Sequence, residues 1–126
     1  MPIDFENSKF LKLAPSSVEK QEWLIELLIP NEKGLLAFLG VRDSIVFTNG
    51  RVMLRNVKGV TGTEVSVTSF PYNRINAFCI ESSGITGISV SVTLYVSYIS
   101  PIILEFTREA NTKILNDLLS RAILAK

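Results

Sequence analysis

Hydrophobic residues recur along this chain with two periods, and each change of period marks an element. Val18, Leu24, Ile25 and Leu28 fall at three- and four-residue intervals with Gln21 on the same line, behind Ser16 and Glu19 at capping-box spacing. That spacing predicts a helix over about Ser17 to Leu28. Ile29-Pro30-Asn31-Glu32 ends it, because proline disfavours a helical residue before it and opens a turn.

From Gly34 to Thr107 the period is two, with turn residues about every ten positions, the spacing of a meandering antiparallel sheet. Seven strands are expected: Leu35 to Leu39, Ser44 to Thr48, Arg51 to Val57, Thr63 to Ser69, Arg74 to Ser82, Ile88 to Val96, and Ile102 to Thr107. Asn49-Gly50 between the second and third predicts a type I′ hairpin with Gly50 at positive φ. In the third strand Val52 and Leu54 are assigned to the core, with Arg51 and Arg55 on the other face. Helical period returns at the end, where Ile114, Leu115, Leu118, Ala122 and Ile123 form a stripe and Asn111 or Thr112 caps the start. Burying its large aliphatics at about 1.5–3 kcal/mol each requires the helix to sit on the sheet. The expected organisation is one domain over residues 1–126: tail and helix to residue 28, sheet over 34–107, and C-terminal helix over 111–125, with residues 1 to about 14 mobile.

Composition narrows the chemistry. An apolar fraction of 47% with 20% charge suits a globular chain, and the mean hydropathy of +0.31 arises from short β-branched runs. None of these runs approaches the roughly 20 apolar residues that span a bilayer, and no secretory leader opens the chain. A cytoplasmic protein without an integral membrane segment is expected, its single cysteine, Cys79, suiting a reducing compartment. A net charge of +1 argues against nucleic acid as partner. The absence of histidine removes the usual general base and the commonest zinc ligand, so no catalytic, cofactor-binding or metal residues are assigned. Glu81 and Asp43 form no evident acid–base pair, and Cys79 between Phe78 and Ile80 reads as a small hydrophobe.

The order of elements and several blocks resemble the bacterial pleckstrin-homology-like family. The resemblance is carried by Val41-Arg42-Asp43-Ser44-Ile45-Val46-Phe47-Thr48-Asn49-Gly50-Arg51, Lys58-Gly59-Val60-Thr61-Gly62, Phe70-Pro71-Tyr72-Asn73-Arg74-Ile75, Phe78-Cys79-Ile80-Glu81 and Ser82-Ser83-Gly84. It covers about residues 28 to 107, and the terminal helix extends it. The resemblance implies a mainly β (α+β) fold: a seven-stranded bent antiparallel sheet or partly open barrel capped by a C-terminal helix, here with an extra N-terminal helix. It also implies a non-enzymatic module assembling into ring-like homo-oligomers. After Gly84 this chain has Ile85-Thr86-Gly87 where the family commonly carries an acidic residue, so a role for that acid does not carry over.

Two sets of site residues are expected. Trp23 and Leu27 lie away from the sheet-facing stripe of the N-terminal helix, which marks them as a subunit interface in a homo-oligomer or a contact for another protein. Arg42, Arg51, Arg55 and Lys58 form a basic face, and the alternative function is peripheral membrane or lipid-headgroup binding there. Asp43 beside Arg42 opposes a phosphate ligand.

Overall fold

The computed structural model describes residues 9–58, 63–83 and 89–124; the first eight residues, the blocks at 59–62 and 84–88, and residues 125–126, where the expected terminal helix ends, lie outside them. The described residues begin in β1 (Lys9–Ser16), make a short 3₁₀ turn at Val18–Lys20 and one turn of helix α1 (Glu22–Ile25). The strands β2 (Gly34–Leu39), β3 (Asp43–Thr48), β4 (Arg51–Lys58) and β5 (Glu64–Pro71) follow. A 3₁₀ turn at Tyr72–Arg74 leads to β6 (Ile75–Ser83), β7 (Ser89–Val96), β8 (Ile102–Thr107) and helix α2 (Thr112–Leu119). The final turn, Ser120–Leu124, widens to π-helical pairing.

The eight strands form one curled, open sheet in the order β5-β4-β3-β2-β1-β8-β7-β6. β2 to β8 correspond to the seven strands expected from the alternation. β1 corrects the expectation of a mobile tail up to residue 14: it pairs antiparallel with β2 (Ala14↔Leu39) and parallel with β8 (Phe10↔Leu104), joining two meanders into one sheet. An irregularity between Phe10 and Leu13, where Lys12 takes φ 56, lets both apolar residues turn inward three positions apart.

The concave side holds the main core, in which Phe38, Phe47, Val52, Leu54, Leu94 and Phe106 meet Leu115, Leu119 and Ile123 of the terminal helix. Phe38 packs edge-on against Phe106 with ring centroids 4.7 Å apart. The buried line of the helix is Leu115–Leu119–Ile123; Ile114, expected on the stripe, is 49% exposed. Asn111 caps this helix, its Oδ1 accepting the Ile114 N–H at 3.1 Å.

A second cluster lies on the outer side of β2, β3 and β4, where Ala37, Val46 and Met53 are covered by Leu24 and flanked by Val18, Trp23 and Leu28. The N-terminal segment reaches this face as short turns and not as the continuous helix expected over Ser17 to Leu28. Its direction is set by a turn at Ile29–Glu32, in which Glu32 N–H donates to Ile29 O, with Pro30 at the second position and Asn31 at φ 70 in the third. The left-handed asparagine is thus Asn31. Neither Asn49 nor Gly50 enters that region, which corrects the type I′ expectation. Thr48 Oγ1 instead accepts the N–H groups of Gly50 and Arg51, each at 3.0 Å.

Candidate functional site

The β3–β4 hairpin and the Ile29–Glu32 turn are tied together by a polar cluster built around Glu32 and Arg51. Arg51 Nε donates to Glu32 Oε2 at 2.8 Å and Nη2 to Oε1 at 2.9 Å, a bidentate pair. Nη2 also reaches the carbonyl of Leu27 at 2.8 Å, and Nη1 reaches Ser69 Oγ at 3.0 Å. The carboxylate, 5% exposed, further accepts the Thr48 hydroxyl at 2.7 Å and the Ile29 N–H at 3.1 Å. The guanidinium hydrogen bonds, aided by those from Thr48 and Ile29, hold the Glu32 carboxyl at about 2 despite its burial. Asn49 completes the joint: its Oδ1 accepts Lys33 N–H at 2.9 Å and its Nδ2 donates to Asn31 O at 3.0 Å. Tyr72 donates its hydroxyl to Thr48 O at 2.7 Å, and burial raises its phenol pKa above the ordinary value.

This cluster divides the four basic residues read as one face. Arg51 is committed to Glu32 at the hairpin end of β4. Arg55 pairs in register with Ser44, and Lys58 with Glu64, toward the other end. Arg51 and Arg55 share the outer side, about 13 Å apart along the strand, with the buried Met53 between them. Arg42 lies in the turn closed by Gly40 N–H to Asp43 O at 2.7 Å, next to Val41, which is 78% exposed. Burial raises the Asp43 pKa, and the Arg42 charge works against that rise. Arg42, Arg55 and Lys58 therefore belong to one end of the sheet and Arg51 to the opposite end.

Trp23 is half-buried in the outer cluster, and its Nε1 donates to Gln21 Oε1 at 3.1 Å. Leu27 is 41% exposed, and it stands with Ile25 at 73% and Ile29 at 65%, two residues that the helical stripe had assigned to the interior or to a turn. Ile25, Leu27 and Ile29 are thus the exposed large apolar residues of this segment, called the ridge below. Because the helix is one turn long and the chain then bends, a 100° periodicity carried through Leu28 could not locate it.

Two grooves adjoin the hairpin. One of about 370 Å³ is lined by Ile29 to Glu32, Asn49 to Arg51 and Pro71, and its charged groups, Glu32 and Arg51, already satisfy each other. The other, about 450 Å³, is mostly apolar and runs between Leu35 and Leu36 of β2 and Ile114, Leu118 and Ala122 of the terminal helix. Among the described residues no three of Cys, Asp and Glu gather where one metal ion could be held. No helix there is long and apolar enough to cross a membrane.

Comparison with known proteins agrees with this architecture. Over 82 residues the chain is 35% identical to the uncharacterized protein YjqA of Bacillus subtilis (strain 168), a match covering 65% of this chain and 66% of that protein. A DUF1696-family protein with a pleckstrin-homology domain from Shewanella loihica superposes with a TM-score of 0.80 at 27% identity, covering 89% of this chain and 97% of the other. A pleckstrin-homology domain from Shewanella amazonensis gives 0.69 at 31% identity, covering 86% and 99%. The model of the bacterial PH domain family matches residues 5–123, β1 and the terminal helix included, and the chain belongs to that family.

Proposed function

We propose that this bacterial PH domain is a non-enzymatic protein-interaction module that associates with copies of itself into a closed homo-oligomer in the cytoplasm. The observation that carries the reading is the ridge of Ile25, Leu27 and Ile29, apolar and exposed yet fixed in place. Arg51 holds the Leu27 carbonyl, and Glu32 holds the Ile29 N–H, so the ridge is preorganised and little ordering entropy opposes its burial. Apolar surface held rigid in this way suits a protein contact. A closed arrangement buries the same ridge in every copy without a growing end.

The test is light scattering coupled to size exclusion on the wild type and on an Ile25→Glu, Ile29→Lys double variant. Both positions point away from the two hydrophobic clusters, so the variant is expected to fold. A wild-type oligomer that the variant loses supports the reading. A wild type that runs as a monomer at micromolar concentration rejects it.

The exposed Val41 beside Arg42, at the same end as Arg55 and Lys58, supports a second reading as a peripheral membrane contact. Vesicles containing phosphatidylserine would then sediment the protein, and an Arg42→Glu, Lys58→Glu variant would stay in the supernatant. Equal sedimentation with uncharged vesicles would remove this reading.

A further inference from the structure

The terminal helix carries two apolar lines, and the core buries only one of them. Leu115, Leu119 and Ile123 lie in the main cluster. Ile114, Leu118 and Ala122, spaced four apart on the neighbouring line, border the groove whose other wall is Leu35 and Leu36 of β2. Leu36, Leu118 and Ala122 pack partly against the core, whereas Ile114 and Leu35 are each 49% exposed, so the groove continues the core out to the surface. Single exposed apolar residues are ordinary on a protein surface. Five that line one concavity of about 450 Å³ are not, and that volume lies in the usual range of small-ligand sites.

The polar residues of the groove leave one group for a ligand. The Thr48 hydroxyl is engaged by Glu32, Gly50 and Arg51, and both ends of the Asn49 amide are engaged by Asn31 and Lys33. Arg121 gives only its Nε to Asp117, at 3.0 Å from each carboxylate oxygen, and among the described residues its Nη1 and Nη2 meet no acceptor. Those two nitrogens form the fork that matches a carboxylate through two parallel hydrogen bonds. Lys113, one helical turn before Asp117 on the same stripe, gives this stripe two positive charges and one negative. Arg121 and Ala122 stand in the final turn, Ser120–Leu124, whose pairing is π-helical, and such widened turns recur at functional sites.

We infer that this groove binds a monomeric, straight-chain carboxylate from solution, its head on the Arg121 guanidinium and its chain along Ala122, Leu118 and Ile114. From Ile114 to Ala122 the helix rises about 12 Å, the length of an extended chain of about ten carbons. A single guanidinium beside Asp117 suits one negative charge; clustered phosphates need several converging cations. A sugar or a nucleobase would leave its polar groups unpaired against the apolar walls. The groove shares no residue with the ridge at Ile25, Leu27 and Ile29, so this ligand site does not depend on self-association.

The experiment titrates the full chain with decanoate, below its micelle-forming concentration, by isothermal titration calorimetry. Decanol and decylammonium, which keep the chain and change the head, are the comparison ligands. Decanoate is expected to bind once per chain, with decylammonium weaker by about tenfold or more. The backbone amide resonances of Leu35, Leu36, Leu118 and Ala122 should shift on binding. Arg121→Ala is expected to weaken decanoate about tenfold and leave decanol unchanged, and Ile114→Glu to weaken both. Each variant should keep the wild-type far-UV spectrum, because both side chains are exposed. Absence of decanoate binding at millimolar concentration overturns the proposal. So does equal binding of decanoate and decylammonium, or equal decanoate affinity in wild type and Arg121→Ala. Resonance shifts confined to residues outside the groove, or binding only to decanoate held in phosphatidylcholine vesicles, overturn it as well.

Discussion

Arg51 and Glu32, 19 positions apart in sequence, meet in a bidentate pair that joins the segment after α1 to β4. The pair has a pH signature whose sign follows from its direction. Glu32 has a folded pKa of about 2 against 4.5 without the pair, so its contribution is full above 4.5 and fades as the pH falls toward 2. That depression is on the order of 3 kcal/mol. Urea unfolding of wild type and Glu32→Gln is therefore expected to differ by a few kcal/mol at neutral pH and to converge near pH 2; a constant gap across that range would contradict the account. Backbone geometry gives a second test at single residues. Gly50 lies outside the left-handed region and a Cβ there would meet nothing within 4 Å, so Gly50→Ala is expected to shift stability by less than about 0.5 kcal/mol. Asn31 holds φ 70, and Asn31→Val is expected to cost about 1–2 kcal/mol. Asn49-Gly50 reads as a left-handed turn from sequence because that dipeptide favours one. What overrides it is the Thr48 hydroxyl and the anchoring of the Asn49 side chain to Asn31 and Lys33, contacts across the fold that no local window contains.

Among the elements, the strands of unbroken alternation were legible from the sequence and those with irregular spacing were not. Val90, Val92 and Leu94 alternate without interruption, and β7 is found where they stand. The sequence of β1 lacks a strand signal because its inward residues, Phe10 and Leu13, are three apart across an irregularity and Pro15 follows, which together erase the period of two. It is nonetheless the strand that joins the two meanders, so Leu13→Ala, at a side chain with no exposure, is expected to cost about 2–5 kcal/mol in chemical denaturation. A chain shortened to begin at Ser17 is expected to lose cooperative thermal unfolding; an unchanged transition would show that β1 is dispensable. The terminal helix gives a paired comparison. Leu119→Ala is expected to cost about 2–5 kcal/mol, because Leu119 is fully buried, whereas Ile114→Ala, half-exposed, should cost less than about 1 kcal/mol. The sequence stripe included Ile114 and passed over Leu119 because a window of eight helical residues leaves the centre of the apolar face uncertain by one position.

At the scale of the whole molecule, the fold was legible through the order of its elements and its motif blocks, while the candidate site was legible only in part. Leu27 is exposed, as are Ile25 and Ile29 on either side of it in sequence, whereas Trp23 is half-buried against the outer cluster. The pairing of Arg51 with Glu32 was not legible, because Glu32 lies in a turn that local patterning treats as a stop signal. We propose that this domain works as an assembly. Native mass spectrometry over a concentration series tests it most directly. The expected result is one dominant species at an integer multiple of the 14.0 kDa chain, unchanged in stoichiometry as concentration rises. A spectrum of 14.0 kDa monomers at micromolar concentration, or an open ladder of ever larger species, would contradict it.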